Sequence, residues 1–146
     1  MIKVFAFIAK RRDISEQQFH AHWREPHGRL TQAVGQIQRY IQNHAIGGAG
    51  ELSGLAAMRY QGIATIWVEA PATLDEIFAN PAFQPVKQDE ANFLDPEHLA
   101  WLICDSHVEG QTADPANTRA VPGKLMLFLR RAPQLSRAQF GQRLRE

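Results

Sequence analysis

The sequence predicts an α+β fold, a ferredoxin-like β-α-β-β-α-β arrangement around an antiparallel sheet. Three observations carry this. Four short apolar runs, bounded by charged or turn residues, read as strands. Two longer segments, one after the first strand and one after the third, carry apolar residues at helical spacing. The second and third strands are joined by a glycine-rich stretch rather than a helix.

The elements follow in order. "IKVFAFIA", residues 2–9, is the first strand, and both of its alternating sets are apolar. "DISEQQFHAHWREPHGRLTQAV", residues 13–34, is the first helix, with Ser15 as N-cap and Glu16 in the first turn. Its apolar face runs through Phe19, Trp23, His27, Leu30 and Val34. Pro26 is expected to break or kink this helix, or to start a second segment. "IQRYIQNHAI", residues 37–46, is the second strand, and "GGAGELSG" is a loop. "GIATIWVEA", residues 62–70, is the third strand, again apolar on both sides. Residues 73–94 form a second helical region, interrupted by Pro81 and Pro85. "LAWLICDSHVE", residues 99–109, is the fourth strand, and residues 110–123 are a linker of small, polar and proline residues. Helices cover one sheet face in such an arrangement. The economical cover for the second apolar face is another copy of the chain, so a homodimer through the sheet face is expected.

After the linker the chain begins to repeat itself. Residues 124–146 align without a gap on residues 3–25, with identities at Lys3/Lys124, Phe7/Phe128, Ser15/Ser136, Gln18/Gln139, Phe19/Phe140, Arg24/Arg145 and Glu25/Glu146. The expected division is therefore a domain over 1–109, a linker over 110–123, and an incomplete second strand-helix repeat over 124–146.

Composition excludes several functions. With 45% hydrophobic and 21% charged residues the chain reads as a soluble globular protein, and a formal net charge of +1 offers no footprint for nucleic acid. The C-terminal arginines Arg130, Arg131, Arg137, Arg143 and Arg145 read as a solvated helix face. No apolar stretch is long enough to span a membrane, and the N-terminus has the wrong polarity for a secretory signal, so the cytoplasm is the expected location. The lone Cys104 reads as a small buried hydrophobe. There is no phosphate-binding glycine loop and no nucleophile elbow.

The chemistry-bearing residues are histidines. His27 lies on an apolar helix face beside a proline. It is either a core histidine bonded to a carbonyl freed by Pro26, or a pocket residue that moves protons near neutral pH. His44 shares a strand face with Gln42 and Tyr40, either as a hydrogen-bonded pocket lining or at an exposed strand end. Asn43 faces the other way. His20 and His22 form "HAH", but residues two apart on a helix point in different directions, so no metal site is expected. His98 and His107 read as surface residues, and Asp89 and Glu90 as a solvated helix face.

The pattern F-x-x-x-W-x-x-x-H-G-x-L, carried by Phe19, Trp23, His27 and Leu30, together with "RYIQNH" and the later "DEANFLD", resembles the EthD family of the dimeric α/β-barrel superfamily. The resemblance covers roughly residues 2–109. It implies subunits whose sheets pair into a barrel, with a site between sheet and helices and no cofactor. It also implies an oxidoreductase or a lyase (dehydratase, decarboxylase or isomerase-like proton transfer) acting on a small hydrophobic or aromatic molecule, as in the degradation of organic compounds. His27 and His44 are then the expected catalytic residues, and Trp23, Tyr40, Gln42 and Asn43 the expected substrate-binding residues. The competing expectation is a non-catalytic ligand-binding or dimerisation module of the same fold, since fold alone does not fix function.

Overall fold

The structure is a computed structural model, and it describes residues 1–45, 59–105, 124 and 126–144. The glycine-rich loop, the linker and His107 lie outside the described residues. The chain divides into two units, Met1–Glu109 and Gly110–Glu146.

In the first unit, β1 (Ile2–Ile8), β2 (Arg39–His44), β3 (Gly62–Val68) and β4 (Ala100–Asp105) form one sheet in the order β2-β3-β1-β4. Every pairing is antiparallel. This is the ferredoxin-like fold that the order of elements predicts. β1 sits centrally because both its edges are paired, and its residues alternate between buried and half-buried. Ile2, Val4, Ala6 and Ile8 face the helices, while Lys3, Phe5 and Phe7 lie half-buried on the other side.

The helical layer is more broken than the periodicity suggests. Ser15 caps α1 (Glu16–His22) with a capping box, its hydroxyl accepting from the Gln18 N–H. Pro26 does not break the helix. A π turn over Trp23–His27 takes it in, and α2 (Gly28–Gln32) continues the same rod. The wider turn absorbs the amide that proline lacks, with the Gly28 N–H reaching back to the Trp23 carbonyl. In the second region, Pro81 opens a 3₁₀ turn (Pro81–Phe83) between α3 (Ala72–Ala79) and α4 (Gln84–Glu90), and Pro85 stands at the start of α4, where its missing N–H costs nothing.

Two apolar clusters hold the layers together. One joins Ile2, Val4, Val34, Val68, Ile77, Phe83 and Val86. The other joins Ala6, Ile8, Ala64, Phe19, Trp23, Phe93 and Leu94. Small residues on the sheet, Gly62, Ala64 and Ala6, leave the space that the Trp23 indole fills. After α4 the chain is strapped to the end of β1, with the Arg11 N–H donating to the Phe93 carbonyl and the Asp95 N–H to that of Ala9.

In the second unit, α5 (Arg137–Arg143) starts with the same capping box as α1, formed by Ser136 and Gln139. Of the strand expected before it, the described residues 126–130 belong to no sheet. A strand is stable only when its N–H and C=O groups find a ladder, whereas a capped helical turn satisfies itself locally. The lone Cys104 is half-buried on β4 rather than enclosed in the core.

Candidate active site

His27 is buried, 7% exposed, where the π turn passes into α2. Its Nδ1 lies 3.0 Å from Asp89 Oδ2, at the end of α4. His22 Nε2 lies 2.8 Å from Asp89 Oδ1, and the Asn92 amide donates to that same oxygen at 3.0 Å. Asp89 is thus no solvated helix residue, as its sequence context suggests, but an acceptor for two histidines. Burial alone would raise its pKa, yet the hydrogen bonds from Asn92, His22 and His27 win and hold the carboxyl below its ordinary value. An ionised carboxylate only accepts, so His27 must carry its proton on Nδ1. Its Nε2 then bears a lone pair and has no hydrogen-bond partner among the described residues. Burial lowers the His27 pKa, opposed by Asp89, so the ring stays neutral at pH 7. Phe93 packs against both rings, 4.7 Å from His27 and 5.4 Å from His22 between centroids.

His44 belongs to a second network. Its Nδ1 is 2.8 Å from His20 Nδ1, and its Nε2 is 3.2 Å from Gln42 Oε1. The Gln42 amide donates to the Trp23 carbonyl at 2.6 Å and to the Tyr40 hydroxyl at 3.1 Å. Gly28 permits this approach, because a Cβ there would come within 3.0 Å of Gln42 Nε2. Burial raises the Tyr40 pKa, so the phenol is neutral at pH 7. The buried Trp23 indole N–H has no hydrogen-bond partner among the described residues.

His27 and His44 therefore do not meet as one hydrogen-bonded pair. They sit on two networks separated by the Trp23 and Phe93 rings, with Trp23 4.4 Å from His44. Trp23 is wholly buried, and Tyr40, a member of the second network, packs against its cluster. Asn43 lies on the opposite sheet face, as strand alternation predicts, donating to the Ile63 carbonyl and the Thr65 hydroxyl. His20 and His22 do diverge, one toward His44 and the other toward Asp89. Sequence reasoning missed Asp89 as a partner of His27, and His20 as a partner of His44. Asp95, Glu97 and His98 bring three ligand atoms within 4.8 Å, but His98 already bonds Asp95, and Asp95 also caps the Glu97 N–H.

The networks imply a pH dependence of stability. Burial, then the neighbouring His20 and Arg24, push His44 down to about 4 from an ordinary 6.5. Above pH 6.5 the folded and unfolded chains are both neutral at this ring. As pH falls toward 4 only the unfolded chain takes up the proton, so stability is lost. The ring is partly solvated, which screens the effect to on the order of 1 kcal/mol. Urea unfolding at about pH 7 and pH 4.5 is expected to show a falling midpoint, and His44→Phe should flatten that slope. An equal slope in the variant would assign the loss to other groups.

The family model described as "EthD domain" matches residues 11–97, which take in both networks. No curated protein matches the chain. Among solved structures, an EthD (ethyl tert-butyl ether D) family protein from Bacillus halodurans superposes with a TM-score of 0.58 at 15% identity, over 73% of this chain and 99% of that one. HapK from Hahella chejuensis gives 0.57 at 14%, over 78% and 100%. A dimeric protein of ferredoxin-like fold from Bacteroides fragilis gives 0.54 at 8%, over 72% and 95%. At these identities the likeness is one of fold. No helix among the described residues is long and apolar enough to cross a membrane.

Proposed function

Since the chain belongs to the EthD domain family, we propose that it is a cofactor-independent acid–base enzyme acting on a small hydrophobic or aromatic molecule, with His27 as the base. One observation carries this reading. The Asp89 carboxylate fixes the His27 tautomer and leaves Nε2 free to take a proton, the arrangement by which a carboxylate orients a general base. Withdrawal of a proton from carbon next to a carbonyl, followed by its return elsewhere or by loss of a leaving group, covers isomerisation and dehydration alike. When Nε2 takes the proton, the imidazolium gains the Asp89 charge at its other nitrogen.

The experiment follows hydrogen–deuterium exchange at the carbon acid of 2-tetralone, an aromatic ketone, by proton NMR in deuterated buffer near neutral pH. The wild-type chain is expected to accelerate exchange, and His27→Asn to lose about 10²-fold or more of that acceleration. Exchange no faster with the wild type than in buffer removes the reading and favours the ligand-binding module.

We place the protein as a homodimer joined through the second sheet face. Support comes from Phe5 and Phe7 on that face and from Leu102, opposite Phe5 on β4 and 41% exposed. Sedimentation equilibrium of the full chain should return twice the monomer mass, and a monomer at micromolar concentration would remove the dimer. The matched caps of α1 and α5 support reading the tail as the start of a second copy.

A further inference from the structure

The His20–His44 pair has a direction that can be read from its fixed end. The Trp23 carbonyl only accepts, so the Gln42 atom 2.6 Å from it must be the amide nitrogen. Gln42 Oε1 then faces His44 Nε2, which must donate. With its proton on Nε2, neutral His44 presents a lone pair at Nδ1. His20 must donate to that lone pair from its own Nδ1. The remaining nitrogen, His20 Nε2, carries a lone pair and has no hydrogen-bond partner among the described residues. The reverse direction fails at its far end, because it sets two lone pairs, Gln42 Oε1 and His44 Nε2, against each other.

We propose that His20 Nε2 is a second proton-accepting site, held in its Nδ1–H form by the relay from the Trp23 carbonyl through Gln42 and His44, and that it takes the hydroxyl of a phenol or enol. The Nδ1–H form is the minor tautomer of free histidine in water, so the relay does work that solvent alone does not. His20 is half-buried on α1, open enough for a small molecule to reach. One helical turn on stands Arg24, whose positive charge weighs on both rings, and one turn back stands Glu16, whose charge favours protonation of His20. In the transfer the ligand O–H bond breaks, an N–H bond forms at Nε2, and the electron pair stays on oxygen. The oxyanion then faces an imidazolium with Arg24 at hand, while His44 accepts from the imidazolium at Nδ1. Burial keeps both rings neutral at pH 7, the state the relay needs.

This site is independent of His27, and its test needs no turnover. The full chain labelled with nitrogen-15 at histidine reports each ring's tautomer through long-range proton–nitrogen correlations. At neutral pH, His20 is expected as Nδ1–H and His44 as Nε2–H. Adding 4-nitrophenol should move His20 Nε2 toward the protonated position. In Gln42→Leu the His20 tautomer should revert to Nε2–H and the shift with 4-nitrophenol should be lost, with His22 and His27 unchanged. The wild-type spectrum decides the proposal even if that variant does not fold. A wild-type His20 found as Nε2–H overturns it, as does a His20 signal unmoved by millimolar 4-nitrophenol. Shifts confined to His27 would leave the proposed function standing and this site refuted.

Discussion

Gly62→Ala is expected to cost about 3 kcal/mol or more and to lower the urea midpoint accordingly, or to leave the chain largely unfolded. In an open strand this change would be mildly stabilising, since glycine has the most backbone freedom to lose. Here the added methyl would stand 2.6 Å from Trp23 Cη2, closer still to Cζ3, and 3.0 Å from the Asn43 carbonyl oxygen. The indole has no exposed surface and is enclosed by Phe19 and its cluster, so it has nowhere to go. A shift of the ring would also pull on the backbone carbonyl that anchors Gln42. Gly35→Ala is the control, because nothing lies within 4 Å of its added methyl. Equal midpoints for the two variants would show that Trp23 can repack.

The second large effect is chemical. Asp89→Asn is expected to slow 2-tetralone exchange by about 10²-fold, with binding and melting temperature affected far less. An amide offers one acceptor where the carboxylate serves His22, His27 and Asn92 together. If the asparagine NH₂ turns to His27, the imidazole must accept at Nδ1 and carry its proton on Nε2, the wrong nitrogen for a base. Exchange at the wild-type rate would show that Asp89 serves only packing.

The order of elements and the central apolar strand were legible because a strand paired on both edges, buried on its helix side and half-buried on the other, leaves a near-continuous apolar run, as in "IKVFAFIA". The burial of His27 was legible too, from its place in the Phe19, Trp23, Leu30 stripe. Its partner was not. Asp89 lies 62 residues away on a short helix with an ordinary polar surface pattern, and the chain after that helix is strapped beside the end of β1. His20 was hidden for a similar reason. The "HAH" spacing shows that the two rings diverge but not what each meets, and the partners come from β2 and α4. Pro26 left its outcome open because backbone chemistry allows a break, a kink or a new segment at a proline, and the structure carries it in a π turn followed by a second helical segment from Gly28. The tail shows the reverse case: its pattern matches β1, yet its described residues 126–130 lie in no sheet.

The burial of Trp23 also gives the fold an optical readout. Of the three indoles, Trp23 is fully enclosed, Trp67 is half-buried with Arg39 and Lys3 over its ring, and Trp101 is 42% exposed. Their emission therefore spreads from blue to red, and the blue edge belongs to Trp23. That ring is 4.4 Å from His44, and an imidazolium at such a distance quenches an excited indole where the neutral ring does so weakly. Blue-edge fluorescence thus reports the charge state of the histidine pair directly, without label or substrate, and turns an internal proton position into a signal readable in a cuvette.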